Sequence, residues 1–545
     1  MQRLFKQLTE ANTPKANKAV MEGLATTYLP MAEAYIHTVF LSASKSFPQG
    51  LEYIGYERCS TMEEFNEITR LKNNKRTYDL AKSNLYLVKY FFRFQGKDLP
   101  PKFLYMPYVN DGGIMYLGGS CYHLSPILMD KVISPGISSI FVRLLRDKVN
   151  FERCYHSMVV NGRRETMQIV WSRIYRKSTE IRKVPSTTKA NTCIVHYLLA
   201  KYGFEGMFQK FAGFVPIIGE EEITVDSYPK DKYVICESTQ VKPKTCLGEF
   251  YEATRIRIAV PIEHWNDFTQ SLIAGFYYTV DHFPNRIKPA FVNNQKLWMI
   301  LLGHIIFSGI FGEGKLYEGI QEHFNSLDEY VDNIVIKKLE EIGHSIDNFY
   351  DLLALILCHF NDWIVNAAES MISLYGKSLD VLYYALFDLT SAIFRTNFRL
   401  NKLATKKQLS EKEIIETMNK HLKMGAIYGL TRNNISVSSV SYSGDNKYPK
   451  ITSVIAQQQS TSGATRGRRT RTVVDATKRI HPSMIEAGSM LFLSKSNPTP
   501  AVRANMYLNL DIATGTIQPK AKFAHIRQRT EHLLKGVVPD DLYSK

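Results

Sequence analysis

The chain has 545 residues, 45% hydrophobic and 12% aromatic, which is ample for packed cores in roughly two to four domains and excludes a disordered scaffold. Its formal net charge of +16 favours polyanionic partners. The seven cysteines (Cys59, Cys121, Cys154, Cys193, Cys236, Cys246, Cys358) are scattered, odd in number and without a CxxC pair, which suits a reducing compartment and offers no zinc site.

The first residues, MQRLFKQLTEANTPK, lack the apolar core of a signal peptide, so a cytoplasmic location is expected. Residues 85–94, LYLVKYFFRF, are aromatic and branched and predict a strand. Residues 99–129 alternate short apolar runs with NDGG and GG turns, which implies tight hairpins. From about Leu272 the pattern becomes helical. The most apolar run, residues 298–311, is too short to span a membrane and carries His304 at its centre, so it is read as a buried helix. In NSLDEYVDNIVIKKLEEIG, Ser326 and Glu329 form a capping-box pattern, Leu327, Val331, Ile334 and Leu339 lie on or near one face, and Gly343 is the stop. DNFYDLLALILCHFNDWI, KSLDVLYYALFDLTSAIFRTNF and SEKEIIETMNKHL read as further helices, the last with Ser410 and Glu413 as its capping box. After Gly425 the chain turns polar and rich in Ser, Thr and Asn.

Positive charge gathers at the end. From Tyr442 onward there are 16 Lys and Arg against 7 Asp and Glu, so +9 of the +16 sits in the last fifth. Its centre is GRRTR, followed by HPS and SKSNPTP. Arginines clustered without acidic neighbours suit phosphate, because the guanidinium presents a rigid fork of donors and stays charged. Arg466, Arg468, Arg469 and Arg471 are the first candidates for nucleic-acid contact, with Lys478 and Arg479 next. A second basic stretch holds Arg163, Arg164, Arg173, Arg176, Lys177, Arg182 and Lys183, with Trp171 and Tyr175 between them; core packing is favoured over base stacking for these two rings.

Other patterns carry no chemistry. GIFGEGK meets the GxxxxGK spacing, but Leu316 stands where a phosphate loop needs Ser or Thr and the preceding run is helical. His304, His344 and His359 lack metal-ligand spacing, and Cys154 with His156 and Cys358 with His359 show no third group. Two-metal nucleotidyl transfer needs clustered carboxylates. The closest groups, Glu220, Glu221, Glu222 and the pair Asp540, Asp541, read as solvated turns, so no catalytic residue and no metal ligand is assigned to the chain.

Five motifs, in order, resemble the N-terminal half of the β subunit of multisubunit, cellular-type RNA polymerases. YMPYVNDGGIMYLGGSCYHLSPILMDKVISPG (105–136) is similar to the family's hairpin that ends in SPG. NGRRETMQIVW (161–171) is similar to the turn that opens the lobe, and RKVPSTTKANTCIVHYLLAKYGF (182–204) to the RRRKLPATIILRALGY segment, though several residues longer. LYGKSLDVLYYALFDLTSAIF (374–394) resembles the GKKRL turn before a long helix. GRRTRTVVDATKRIHPS and FLSKSNPTPAVRANMYLNLD resemble the fork region and the segment after it, but the family's acidic ETPEG is replaced by Lys495, Ser496, Asn497, Pro498, Thr499 and Pro500.

The resemblance implies an α+β, multidomain chain with β-subunit protrusion and lobe and a fork-loop region: protrusion over 1–158, lobe over 159–372, returning protrusion helices over 373–440, and fork loop with the start of the active-site-proximal region over 441–545. It implies a subunit of a DNA-directed RNA polymerase that forms one wall of the DNA cleft and contacts template or RNA–DNA hybrid. By family position Lys495 and Asn497 lie near nucleotide or hybrid, and His481 orders the loop. The divergence and the end of the chain after the fifth motif suggest the first piece of a split, bacteriophage-type β subunit. Expected partners are DNA and hybrid, a C-terminal β-like chain, β′-like chains and a promoter-specificity factor, with no membrane. Magnesium is expected on a β′-like chain and no cofactor on this one. The expected location is the cytoplasm of an infected bacterial host, or packaging in a virion. The alternative from another class is a DNA-contacting virion structural protein such as a portal or head-completion component.

Overall fold

The computed structural model describes residues 24–70, 85–174, 192–239, 255–429, 437–439, 455–458, 483, 501–503 and 508–519, less short stretches at 110–113, 118–119, 125, 137, 145–147, 173, 284–285, 308–311, 328–329, 332, 341, 366–372 and 405–406. Two compact units divide the chain: Met1–Lys131 with Met371–Lys545, and Val132–Ser370. The second unit is thus an insertion in the first.

The first unit opens with α1 (Leu24–Tyr28) and α2 (Ala32–Ser44). Ile36, Val39 and Phe40 of α2 are buried, and the Phe40 ring lies 5.2, 5.0 and 5.4 Å from the rings of Tyr53, Tyr90 and Phe92. Those partners come from β1 (Leu51–Arg58) and β2 (Leu85–Phe94), which pair antiparallel. Between them α3 (Thr61–Arg70) starts at a reciprocal cap, Ser60 N–H donating to Glu63 and Glu63 N–H to Ser60 Oγ. A tight turn with Gln95 and Gly96 at positive φ leads to β3 (Lys97–Asp98), and β4 (Lys102–Pro107) takes the other edge of β2. β5 (Ile114–Leu117) and β6 (Ser120–Leu124) form the hairpin expected across the GG pair, and β7 (Ile127–Met129) follows.

The inserted unit holds β8 (Ile133–Pro135), β9 (Ser139–Arg143), β10 (Lys148–Val160), β11 (Arg163–Ser172), β12 (Thr192–Cys193), α4 (Ile194–Phe211), β13 (Ile217–Gly219), β14 (Tyr233–Ser238) and β15 (Arg257–Pro261). Its described strands join in one eight-stranded sheet, with the order β12-β11-β10-β14-β15-β13 and β9 and β8 off this path. Because β8, β9 and β10 hydrogen-bond into the same sheet as β11, the unit begins at Val132, ahead of the sequence boundary at 159. Helices α5 (Asp267–His282), α6 (Gln295–Ile306), α7 (Glu313–Leu327), α8 (Asn333–Glu340) and α9 (Phe349–Val365) follow. Their apolar faces meet α4 and the sheet in a core that includes Phe151, Tyr197, Phe204, Phe276, Trp298 and Phe349.

Two helix assignments need correction. Ser326 lies in the last turn of α7, where its hydroxyl donates to His323 O at 2.7 Å, so it does not cap the next helix. The residues KSLD do not join the helix after them: Ser378–Asp380 is a strand, β16. The helix stop at Gly343 holds, with φ of 86° and His344 N–H donating to Leu339 O.

Returning to the first unit, β16 is followed by α10 (Leu382–Ala385), α11 (Phe387–Ala404), α12 (Glu411–His421), β17 (Val437–Ser439), β18 (Ile455–Gln458) and β19 (Ala501–Arg503). The Ser410 and Glu413 capping box opens α12 as expected. α11 docks on the end of α2, where Asn397 Nδ2 donates to Ser46 Oγ at 2.7 Å and Asn401 Nδ2 to Ser46 O at 2.8 Å.

Candidate nucleic-acid interface

Segments far apart in sequence meet on β7. β16 pairs with it antiparallel, Ser378 opposite Met129 and Asp380 opposite Ile127. β18 runs parallel on its other side, Gln457 opposite Ile127 and Gln458 opposite Leu128, and β19 closes the edge with Ala501 opposite Gln457. The strand order is β16-β7-β18-β19. Three of the five sequence motifs therefore contribute to this sheet or its immediate flanks.

A second seam reinforces the first. Gly376 N–H donates to Ile517 O, Ile517 N–H to Lys377 O, and Leu379 N–H to Gly515 O at 2.8 Å. Gly515 has a φ of 69°, and a Cβ there would lie 2.8 Å from Leu379 O, so both the backbone conformation and the close approach require glycine. Lys377 is nearly buried and sits 3.8 Å from Asp130. The Tyr28 hydroxyl is also buried here, and burial first, then the Asp380 and Asp511 carboxylates, push its pKa up.

Residues 459–500 connect β18 to its neighbour β19 and contain most of the sequence candidates. Arg466, Arg468, Arg469, Arg471, Lys478, Arg479, Lys495 and Asn497, together with His481, lie outside the described residues. Within that connection Ser483 is described. It is fully buried, and its Oγ accepts the Leu374 N–H at 2.8 Å.

In the inserted unit, Arg173, Arg176, Lys177, Arg182, Lys183 and Tyr175 also lie outside the described residues. Arg163 and Arg164 are placed: both are exposed at the start of β11, opposite Val160 and Val159. The turn that presents them has Asn161 at φ 50° and Gly162 at φ 85°, the left-handed pair of a two-residue hairpin. It is clamped from the side, because Asn161 N–H donates to Ile235 O at 2.8 Å and Ile235 N–H to Asn161 Oδ1 at 2.9 Å. Trp171 is half-buried, its ring 5.9 Å from that of Tyr278, in line with core packing.

Some polar arrangements escaped the sequence reading. Asp281 receives Ser238 Oγ at 2.6 Å on one oxygen and faces His156 Nε2 at 3.0 Å with the other, so the carboxylate is the hub and the serine has no base. Arg58 lies over the Tyr86 ring at 4.2 Å and donates to Tyr108 Oη, a stacked guanidinium at the ends of β1, β2 and β4. Only an alternation of aromatic and basic residues hinted at the second. Glu220, Glu221 and Glu222 form a surface turn, with Glu222 held below the usual carboxylate range by backbone N–H groups.

Among the described residues no group of three His, Cys, Asp or Glu could hold a metal ion, and no helix is long and apolar enough to cross a membrane. Lys315 lies inside α7, which removes the geometry of a phosphate loop from GIFGEGK. No curated protein matches the chain. The profile of one protein family, described as non-virion RNA polymerase subunit, matches residues 2–511. With that match spanning most of its length, the chain belongs to the family of non-virion RNA polymerase subunits.

Proposed function

We propose that this RNA polymerase subunit is an N-terminal β-like piece of a multisubunit, DNA-dependent enzyme, one wall of whose DNA cleft it forms. Residues 459–500 act as its fork region, gripping template or RNA–DNA hybrid through Arg466, Arg468, Arg469 and Arg471, with Lys478 and Arg479 beside them. The observation that carries this reading is the meeting of the SPILM, GKSLD and fork-like segments around β7, an order of assembly that random local matches have no reason to produce. Between Gln458 and Ser483 the sequence holds those six cations and one acid, Asp475, which favours phosphate contact over base readout. Arg163 and Arg164 supply a further backbone contact from the inserted unit.

The chemistry of nucleotide addition belongs to companion chains: a C-terminal β-like chain and β′-like chains that hold magnesium. The enzyme works in the cytoplasm of a phage-infected bacterium. A portal or head-completion role finds no support in the family's description, which names a polymerase subunit and a non-virion one.

The test is direct. Replacing Arg468, Arg469 and Arg471 by Ala in the full chain should lower the slope of log binding constant against log salt by up to about 3 on duplex or hybrid oligonucleotides. An unchanged slope, together with failure to co-purify with a β′-like chain from expressing cells, would reject the reading.

A further inference from the structure

We infer that Ser483 is the positioning residue of the basic connection, the point that turns residues 459–482 from a tether into a closed loop aimed at a phosphate backbone. The inference rests on the fork-region reading above. Its observations are Ser483's full burial, the 2.8 Å hydrogen bond from Leu374 N–H, and the sheet that both loop feet share. One foot is Gln458, opposite Leu128 on β7. The other is Ser483, held by Leu374, whose own strand β16 lies on the opposite side of β7 with Ser378 facing Met129. Strands two apart in a sheet are separated by about 10 Å. The feet are therefore set on either side of one strand, and the stretch with six cations has both ends fixed.

The physics is that of loop closure. A chain held only at β18 and β19 spreads its arginines over the volume accessible to residues 459–500, whereas a midpoint anchor divides it into two shorter loops with less freedom to lose on binding. Cations that are already gathered meet adjacent phosphates together, as linked ligands do. A hydroxyl suits this anchor because a backbone N–H buried beside it must find an acceptor, and Leu374 N–H finds Ser483 Oγ. The bond therefore couples the seating of the loop to the turn that leads into β16. Ser483 touches no nucleic acid in this scheme and acts through the arginines.

The pair Ser483→Thr and Ser483→Val tests it, since the two side chains are nearly isosteric and differ in the hydroxyl. On an RNA–DNA hybrid oligonucleotide, the full-length Thr variant should keep the wild-type salt slope and the Val variant should lose about one to three units of it, with affinity at moderate salt down roughly tenfold or more. Equal slopes for Thr, Val and wild type, while the triple arginine variant still loses slope, would overturn the positioning role and leave the fork reading intact. No slope change in the triple arginine variant would instead reject the underlying reading. Should the Val variant fail to fold, hydrogen exchange on the wild-type chain decides: bound hybrid should slow exchange of the Leu374 amide several-fold, and an unaltered rate there, with protection at the arginines, would overturn the role.

Discussion

The Tyr197 hydroxyl and His323 Nε2 lie 3.0 Å apart in the core of the inserted unit, with both side chains buried. A second buried imidazole, His196, places Nε2 3.0 Å from Trp298 O. Burial lowers both pKa values to about 3, so the two rings are neutral in the folded unit. In the unfolded chain each takes a proton below about pH 6.5. Their contribution to stability is therefore complete above pH 6.5 and is lost progressively as pH falls toward 3. The expected cost at pH 5 is about 2 kcal/mol for each histidine. Urea unfolding followed by tryptophan fluorescence checks it, because Trp171, Trp265, Trp298 and Trp363 all fall within Val132–Ser370. A midpoint that does not change between pH 7.5 and pH 5 would contradict the assignment.

Tyr277→Phe should destabilise the same unit by about 1–3 kcal/mol, since the lost hydroxyl leaves two buried carbonyls without a donor. Tyr277 Oη donates to Cys236 O at 2.6 Å and Ile256 O at 3.2 Å from full burial. The fluorescence-detected midpoint should fall with an unchanged denaturant slope.

Gly515→Ala should open the seam beside β16. An alanine at φ 69° costs about 1–2 kcal/mol, and its Cβ would press on Leu379 O. Faster amide exchange at Leu379, whose N–H donates to Gly515 O, is the expected signature. Unaltered protection there would show that the seam tolerates a side chain.

Arg163→Ala with Arg164→Ala should leave the inserted unit's stability within about 0.5 kcal/mol, because both side chains are exposed. The same double variant should reduce the salt slope of nucleic-acid binding by up to about 2. By contrast, Asn161→Ala should loosen the hairpin itself, since Ile235 N–H loses its side-chain acceptor. Thermal unfolding separates the two kinds of variant.

What the sequence disclosed was local. Ser410 and Glu413 are three residues apart at a true helix start, and the Asn161-Gly162 pair marks a two-residue hairpin, so both could be read without knowing the fold. Ser326 and Glu329 show the same spacing, but the helical periodicity of α7 runs through Ser326 and overrides the cap. KSLD was assigned to a helix because a strand this short is stabilised by its partner, and that partner, Ile127–Met129, lies on the far side of the insertion. Ser483 was visible as part of HPS, yet its role as an anchor depends on Leu374, which no spacing rule connects to it. The buried histidines were missed for a related reason: neither has a ligand-like neighbour in sequence, and Trp298 and Tyr197 become their partners only through packing.

The insertion of Val132–Ser370 between β7 and β16 also sets an order on synthesis. When β7 emerges from the ribosome, neither of its neighbours, β16 and β18, has been made. The inserted unit is complete before either appears, and domains fold as units as they emerge. Vectorial synthesis thus has the inserted unit fold first while β7 waits with unpaired backbone groups, an edge open to wrong pairing. The basic connection and β19 come last, so the surface proposed to meet nucleic acid is finished only after the platform beneath it has closed.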